Sequence, residues 1–310
     1  MELSQAKPIT IGDKALFDKF FQKYPPETSE FTFTNLFMWR NYYNFLFLEY
    51  NGHIILLSND YLKNRKKPIN SDSKDYVYCF PPIGPYPNKI IIELFENIEN
   101  IEVHRVPDDI CQKLTENDNY TKLNLNCIED RNNWDYLYNK DEILNLAGNK
   151  YRQNRRWLNK FKENYNYDFQ LLTENNIEKC KELQLEWCVM RACTEDESLE
   201  AEQEAILEAL DNFSSLGFSG GLICVDDKCA AYTFGEMLNN ETLVIHIEKA
   251  HMDYVGAYQA INNLLLKNCC VKSIYVNREQ DLGIEGLRRA KESYKPIRMI
   301  KKNIIHKNII

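Results

Sequence analysis

TLVIHIEKAHMDYVGAYQAINNLLLK, residues 242–267, reads as a buried strand, a short polar loop and a helix. β-Branched and apolar residues fill 242–247, and Asn239-Asn240 supplies a turn just before them. Gly256 opens the helix, and Ile261, Leu264 and Leu265 give it an apolar stripe at helical spacing. Asp253 stands where an acidic residue favours a helix start. A strand ending in polar residues before a helix start exposes its last side chains and unpaired backbone N–H groups to one shared space. His246, Glu248 and Lys249 border that space.

A chain of 310 residues, 44% hydrophobic and 12% aromatic, is long enough for one large or two ordinary domains with real cores. No run approaches the roughly 18 apolar residues of a membrane span. Residues 1–10 lack the basic and apolar regions of a signal peptide, so a soluble, cytoplasmic protein is expected. The 10 cysteines include Cys188 and Cys193, Cys224 and Cys229, and the vicinal Cys269-Cys270, with no C-x-x-C pair and no companion histidine spacing. Free thiols are expected rather than disulfides or a metal site.

The net charge of −8 argues against a general nucleic-acid coat, yet charge is unevenly spread. Residues 150–162 carry Lys150, Arg152, Arg155, Arg156, Lys160 and Lys162 without an acid, residues 288–307 are similarly cationic, and residues 195–208 are the acidic counterweight. Each run taken alone reads as a solvated helix face. Two basic runs around one site would add their fields for an anionic ligand.

The same order of elements occurs twice. In the first half a helix at 13–23, an aromatic helix at 34–43 and a hairpin around Asn51-Gly52 precede a strand at 76–80. A proline-rich break at 81–85 follows, then helix, strand, helix and strand over 88–128. In the second half a meander over 221–247 precedes helix, strand, helix and strand over 256–300. The expected architecture is α/β (α+β): two similar units at 1–141 and 142–310, each a mixed, mostly antiparallel sheet flanked by helices. The second unit begins with a basic linking helix near 142–164 and carries the candidate active site.

The element order of each half resembles the GNAT acyltransferase fold. The tandem arrangement is similar to the Fem-type aminoacyl transferases and to the C-terminal domain of bacterial phosphatidylglycerol lysyltransferases, above all to small stand-alone relatives of that domain. The resemblance is carried by TFTNLFMWR at 32–40, PPIGPY at 81–86, KYRQNRRWLNKF at 150–161, HIEKAHMDYVGAYQAINN at 246–263 and NREQDLGIEGLRRAKESYKP at 277–296. It implies transfer of an acyl or aminoacyl group to an amine or hydroxyl, with donor backbone groups where two strands splay apart and the donor's phosphates at the following helix start. The family loop at that start is [Q/R]-x-x-G-x-[G/A], whereas residues 253–258 read DYVGAY, and only Gly256 fits. Asp253 places a carboxylate where a cation helps, and Tyr258 adds bulk where small residues admit a diphosphate. Aminoacyl-tRNA is therefore expected as donor ahead of acyl-CoA, with no tightly bound cofactor and no metal.

Glu248, ending a buried strand, is the expected proton acceptor. His246, two residues earlier, is expected on the same side of the strand. Asn277, Glu279 and Asp281 lie at the end of the next strand, where they suit a substrate's ammonium; a helix-capping role for Asp281 would need no substrate. Tyr258 and Tyr294 are expected to line the pocket. Arg152, Arg155, Arg156 and Lys160, spaced for one helix face, and Arg288 with Lys291, suit phosphates of a tRNA acceptor end, with Gly256 at the helix start. The expected partners are tRNA and a small-molecule or lipid-like acceptor. A non-catalytic binding module on the same fold is the competing class.

Overall fold

The computed structural model describes residues 2–59, 69, 76–269 and 272–308. Cys270 lies outside them. Fourteen strands form two seven-stranded sheets among the described residues. They are β1 (Lys7–Pro8), β2 (Leu46–Tyr50), β3 (His53–Ser58), β4 (Val77–Cys79), β5 (Ile101–Pro107), β6 (Leu125–Glu129), β7 (Asp135–Asn139), β8 (Tyr167–Leu171), β9 (Ser219–Val225), β10 (Lys228–Met237), β11 (Thr242–Ala250), β12 (Tyr275–Asn277), β13 (Arg298–Ile300) and β14 (Lys302–Lys307). The sheet orders are β1-β2-β3-β4-β5-β14-β6 and β13-β7-β12-β11-β10-β9-β8.

Both units are built on the same kernel. A hairpin or meander runs antiparallel, a helix crosses over, and the next strand returns parallel to the last one. In the first unit the hairpin β2–β3 turns at Asn51-Gly52, and the helix Pro87–Asn97 connects the parallel pair β4 and β5. In the second unit the meander β9–β10–β11 leads through the helix Ala257–Asn268 to the parallel strand β12. The buried face of that helix, with Ala257, Ala260, Ile261, Leu265 and Leu266, packs with Leu243 and Ile245 of β11 and Val276 of β12 in one core. The first unit has its own core around Ile55, Ile91, Leu94, Phe95 and Val103.

The compact units are Met1–Asp135 with Ile300–Ile310, and Tyr136–Met299, so they differ from 1–141 and 142–310 at both ends. The reason is an exchange of strands. β14 inserts antiparallel between β5 and β6 in the first sheet, and β7, from the end of the first half, pairs antiparallel with β12 in the second. Nor is 142–164 one linking helix. It breaks into Lys140–Asn145 and Arg152–Asn164, with Leu146 and Gly148 at positive φ between them, and the second helix packs within the second unit through Leu158 and Phe161.

The expectation of free thiols fails for four cysteines. Cys111 and Cys127 are disulfide-bonded, as are Cys188 and Cys193. Spacing hid the first pair because one member lies on the helix Asp108–Thr115 and the other on β6, brought together only by packing. Cys79, Cys180, Cys224 and Cys229 are free thiols.

Candidate active site

β11 and β12 are paired only at their starts, from Thr242↔Tyr275 to Val244↔Asn277. Beyond Val244 the strands part, and the rest of β11 borders a gap whose opposite edge is the loop after Asn277. The sequence folds this way because Asn277, fully buried, accepts a hydrogen bond from the Glu279 N–H at 2.8 Å, and Glu279 adopts φ 55°, so the chain turns out of the sheet. The gap brings together His246 and Glu248 from β11 with Asn277, Glu279 and the neighbouring Arg278.

His246 sits on a β-bulge. The ladder pairs Gly235 with Ile245 and Phe234 with Ile247, leaving His246 as the extra residue. Gly235 makes the bulge feasible, since a Cβ there would meet the Val244 carbonyl oxygen at 2.0 Å. The bulge overturns the expectation that His246 and Glu248 share a side. Period-two counting fails across an inserted residue, and Glu248 turns to the face of Ile245, towards the helix Ala257–Asn268. His246 instead donates from Nδ1 to Glu279 at 2.8 Å and from Nε2 to Glu236 at 3.1 Å. Burial would lower its pKa, but hydrogen bonds and charge from the two carboxylates prevail and push it up to about 9. With both ring nitrogens donating, the imidazolium is a fixed cation rather than a base.

A raised folded-state pKa stabilises the protein fully below the unfolded value near 6.5, and that stabilisation is lost as pH rises through about 9. We expect the melting temperature to fall between pH 6.5 and 9.5 by an amount equivalent to about 3 kcal/mol that His246→Gln does not show. An identical fall in the variant would remove His246 from this account.

Glu248 is held by a salt bridge to Arg278 at 2.9 Å and by the Asn262 side-chain amide at 3.1 Å. Arg278, absent from the sequence-based candidates, lies 4.7 Å over the Tyr294 ring, and its Nη1 is buried without a hydrogen-bond partner. Burial pushes the Tyr294 phenol up to about 12, against the opposing pull of Arg278. Tyr294 is thus a buried neutral support for the guanidinium. Lys291 pins the same region by donating to the Arg278 carbonyl, and Tyr138 donates to the Lys291 carbonyl at 2.8 Å.

Asp281, fully buried, accepts four bonds: Tyr136 O–H at 2.7 Å, Gly283 N–H at 2.8 Å, Arg288 Nε at 2.9 Å and Arg288 Nη2 at 3.0 Å. This is loop architecture, and it engages Arg288 of the following helix, Glu285–Ser293. On the helix Arg152–Asn164, Arg155 donates to the Leu146 and Gly148 carbonyls that end the preceding helix. Arg152, Arg156 and Lys160 are exposed at four-residue spacing and form a ridge.

A cavity of about 370 Å³ opens at the start of the helix Ala257–Asn268, lined among others by Trp157, His251, Tyr254, Gly256 and Tyr258. Lys160 lies 5.5 Å over the Trp157 ring, so the basic ridge flanks it. Gly256 has a packing reason: it adopts φ 87°, and a Cβ would meet the Trp157 carbonyl oxygen at 2.2 Å. On the opposite face of β11, buried Lys249 reaches Glu202 at 2.7 Å and lies 3.6 Å over the Trp187 ring; burial lowers its pKa, with Glu202 opposing. The indole of Trp187 hydrogen-bonds Tyr258. Among the described residues no group of three or more His, Cys, Asp or Glu side chains could hold a metal, and no helix is long and apolar enough to cross a membrane.

Residues 21–306 match the family described as phosphatidylglycerol lysyltransferase, C-terminal. The chain belongs to this family. Among solved structures, it is similar to a conserved protein of unknown function from Bacteroides thetaiotaomicron, with TM-score 0.86 and 29% identity over 98% of this chain and 99% of that one. It shares the fold of L-PGS from Bacillus licheniformis, at TM-score 0.63 and 11% identity over 95% and 92% of the two chains. FemX has the same tandem arrangement, at TM-score 0.56 and 10% identity over 98% and 97%. No curated protein matches the sequence. Each unit of this lysyltransferase-family chain is therefore a GNAT-type unit, and the parting of β11 from β12 is the splay expected of that fold.

Of the sequence candidates, His246, Glu248, Asn277 and Glu279 meet at the splay, while Asp281, Arg288 and Lys291 brace its far edge. Arg278 and Glu236 escaped the sequence. Arg278 sits between two residues that were singled out, and its position one past the end of a strand carried the available signal; Glu236 is ten residues before His246 on the neighbouring strand of the meander, and the turn at Asn239-Asn240 between them was the signal for it.

Proposed function

We propose that this protein moves an aminoacyl group from an aminoacyl-tRNA to an amine or hydroxyl acceptor, in the gap between β11 and β12. The observation that carries this is the Glu248–Arg278 pair where the two strands part, its side chains 12% and 13% exposed, dry enough for charge to act strongly and open enough for a small group. In the reaction the acceptor's nitrogen or oxygen bonds to the acyl carbon, the bond from that carbon to the tRNA 3′-oxygen breaks, and the acceptor's proton ends on that oxygen. Glu248 takes this proton first. Imidazolium His246 fixes Glu236 and Glu279 around the gap.

For the donor, the exposed ridge of Arg152, Arg156 and Lys160 beside the cavity suits tRNA phosphates. Tyr258 and Trp157 stand where a coenzyme A diphosphate would need small residues, although the cavity's volume keeps acyl-CoA as the second candidate. The family's description names a lysyl transferase, which is the same class of aminoacyl transfer. For the acceptor, Leu282, Ile284, Leu287 and Ile297 are exposed together with Arg289, Lys295 and Arg298, a mixture of aliphatic and basic groups that favours a lipid-like molecule.

The test is transfer of label from a charged tRNA pool to small amines and to phosphatidylglycerol vesicles. Glu248→Gln should lower turnover about 100-fold. Because glutamine keeps an acceptor for Arg278, the melting temperature should drop only a few degrees. Unchanged turnover with a large loss of melting temperature would make Glu248 structural. In parallel, tRNA should raise the melting temperature saturably and coenzyme A should not. A saturable shift with coenzyme A alone would move the donor to acyl-CoA.

A further inference from the structure

Cys180, Cys224 and Cys229 gather where the β9–β10 hairpin meets the helix Ile177–Met190, and all three are free thiols. The hairpin sets up the first contact. Asp226 and Asp227, at φ 49° and 64°, make a two-residue turn that places Cys229 directly opposite Cys224. Ala230 is then an extra residue, because the ladder resumes at Ala231↔Ile223. This bulge turns Cys229 and Tyr232 to one face, although they are three residues apart. The helix answers with a matching pair. Tyr232 donates to Gln184 at 2.6 Å, and Cys180, one helical turn before Gln184, donates its thiol to the Cys229 sulfur.

The three thiols differ in access and in neighbours. Cys180 is fully buried and Cys224 is 5% exposed, whereas Cys229 is only partly covered and is the thiol a reagent meets first. Cys224 also faces Cys229, but its sulfur is engaged by the Lys179 ammonium at 3.9 Å, and Lys179 reaches the Asp227 carbonyl as well. The bond to Cys229 and burial push the Cys180 thiol well up, so Cys180 waits as a protonated thiol behind the accessible one.

We propose that Cys229 is a modification site for low-molecular-weight disulfides, and that Cys180 resolves the adduct by closing a disulfide between the helix and β10. In the first step the Cys229 sulfur attacks one sulfur of the incoming disulfide, that S–S bond breaks, and the departing small thiol carries off the Cys229 proton. In the second the Cys180 sulfur attacks Cys229, the mixed S–S bond breaks, and a second small thiol leaves with the Cys180 proton. Two protein thiols are oxidised by two electrons, and one small disulfide is reduced to two thiols. The new bond pins the helix whose Trp187 packs on Lys249 and hydrogen-bonds Tyr258, so oxidation stiffens one wall of the cavity.

Peptide mapping tests the pairing. The full chain is held in millimolar glutathione disulfide, remaining thiols are alkylated, and the protein is cut with trypsin without reduction. Cleavage after Lys179, Lys181 and Lys228 puts Cys180, Cys224 and Cys229 on separate peptides. We expect a Cys180–Cys229 cross-linked peptide and a rise in melting temperature of about 5 °C on oxidation. Cys180→Ser should lose both and accumulate glutathione on Cys229, whereas Cys224→Ser should keep the cross-link. Cys229 alkylated rather than oxidised, Cys229 joined to Cys224, or glutathione persisting on Cys229 in the native chain would each overturn the assignment. The map of the native chain decides the pairing even where a variant fails to fold. No step uses the gap between β11 and β12, so aminoacyl transfer and this thiol chemistry stand or fall separately.

Discussion

Lys302→Met is expected to destabilise the protein by about 3–5 kcal/mol, the typical cost of removing one partner from a buried ion pair. Lys302 is fully buried, and its ammonium lies 2.6 Å and 2.7 Å from the two Glu30 oxygens and 2.6 Å from Asp135. Asp135 in turn accepts from the Ser29 N–H at 2.8 Å and the Ser29 hydroxyl at 2.9 Å. Arg105 approaches Glu30 at 3.3 Å. Without the ammonium, two buried carboxylates would share that guanidinium. Lys302 opens β14 and Asp135 opens β7, so the network sits where the chain leaves the first unit and where it returns. The measurement is chemical denaturation of Lys302→Met beside Lys302→Met/Glu30→Met. The double variant should recover part of the loss because it removes a buried charge as well. A loss under about 1 kcal/mol in the single variant would show that the cluster is solvated in solution.

Gly256→Ala should cost a further large amount, about 3–5 kcal/mol, and disturb the cavity at the same time. Two terms add. A residue with a Cβ is strained at φ 87°, and the Cβ would lie 2.2 Å from the Trp157 carbonyl oxygen and 3.1 Å from Phe161 Cβ. The first of these is backbone in the middle of the helix Arg152–Asn164, which cannot yield without moving the basic ridge. Indole fluorescence should therefore change together with the denaturation midpoint, and any tRNA-induced thermal shift should weaken. Gly286→Ala is the control: nothing lies within 4 Å of its Cβ, and the position is helical, so it should be neutral or slightly stabilising. If the two variants were equally stable, the close contact between the helices would be wrong.

Much of the fold was legible because its signals are local. The Asn51-Gly52 hairpin, the meander before residue 250 and the helix after Gly256 each rest on turn chemistry and hydrophobic spacing within a dozen residues. Two misreadings had equally physical causes. β7, DYLYN at 135–139, has its own alternation, but its partners are β12 and β13, residues that no local rule connects to it. The bulge at His246 inserts a residue into a period-two pattern, and nothing in HIEKA announces it; the reason lies in the partner strand, where Gly235 allows the close approach.

The side chains divide along the same line. Glu248, Asn277 and Glu279 could be singled out from sequence because a polar residue at the end of an apolar strand needs no partner to be noticed. Their consequences depended on partners that pairing and packing bring to them. His246 becomes a cation because Glu236 and Glu279 reach it from two other segments, and Asp281 becomes a brace because Tyr136 arrives from β7. Hydrophobic periodicity, turn residues and helix starts act between neighbours and so dictate two α/β units from the chain alone. Strand exchange, the register slip and the pairing of buried charges follow from which segments pack together, since burial sets both the cost of leaving a charge unpaired and the strength of the bond that satisfies it.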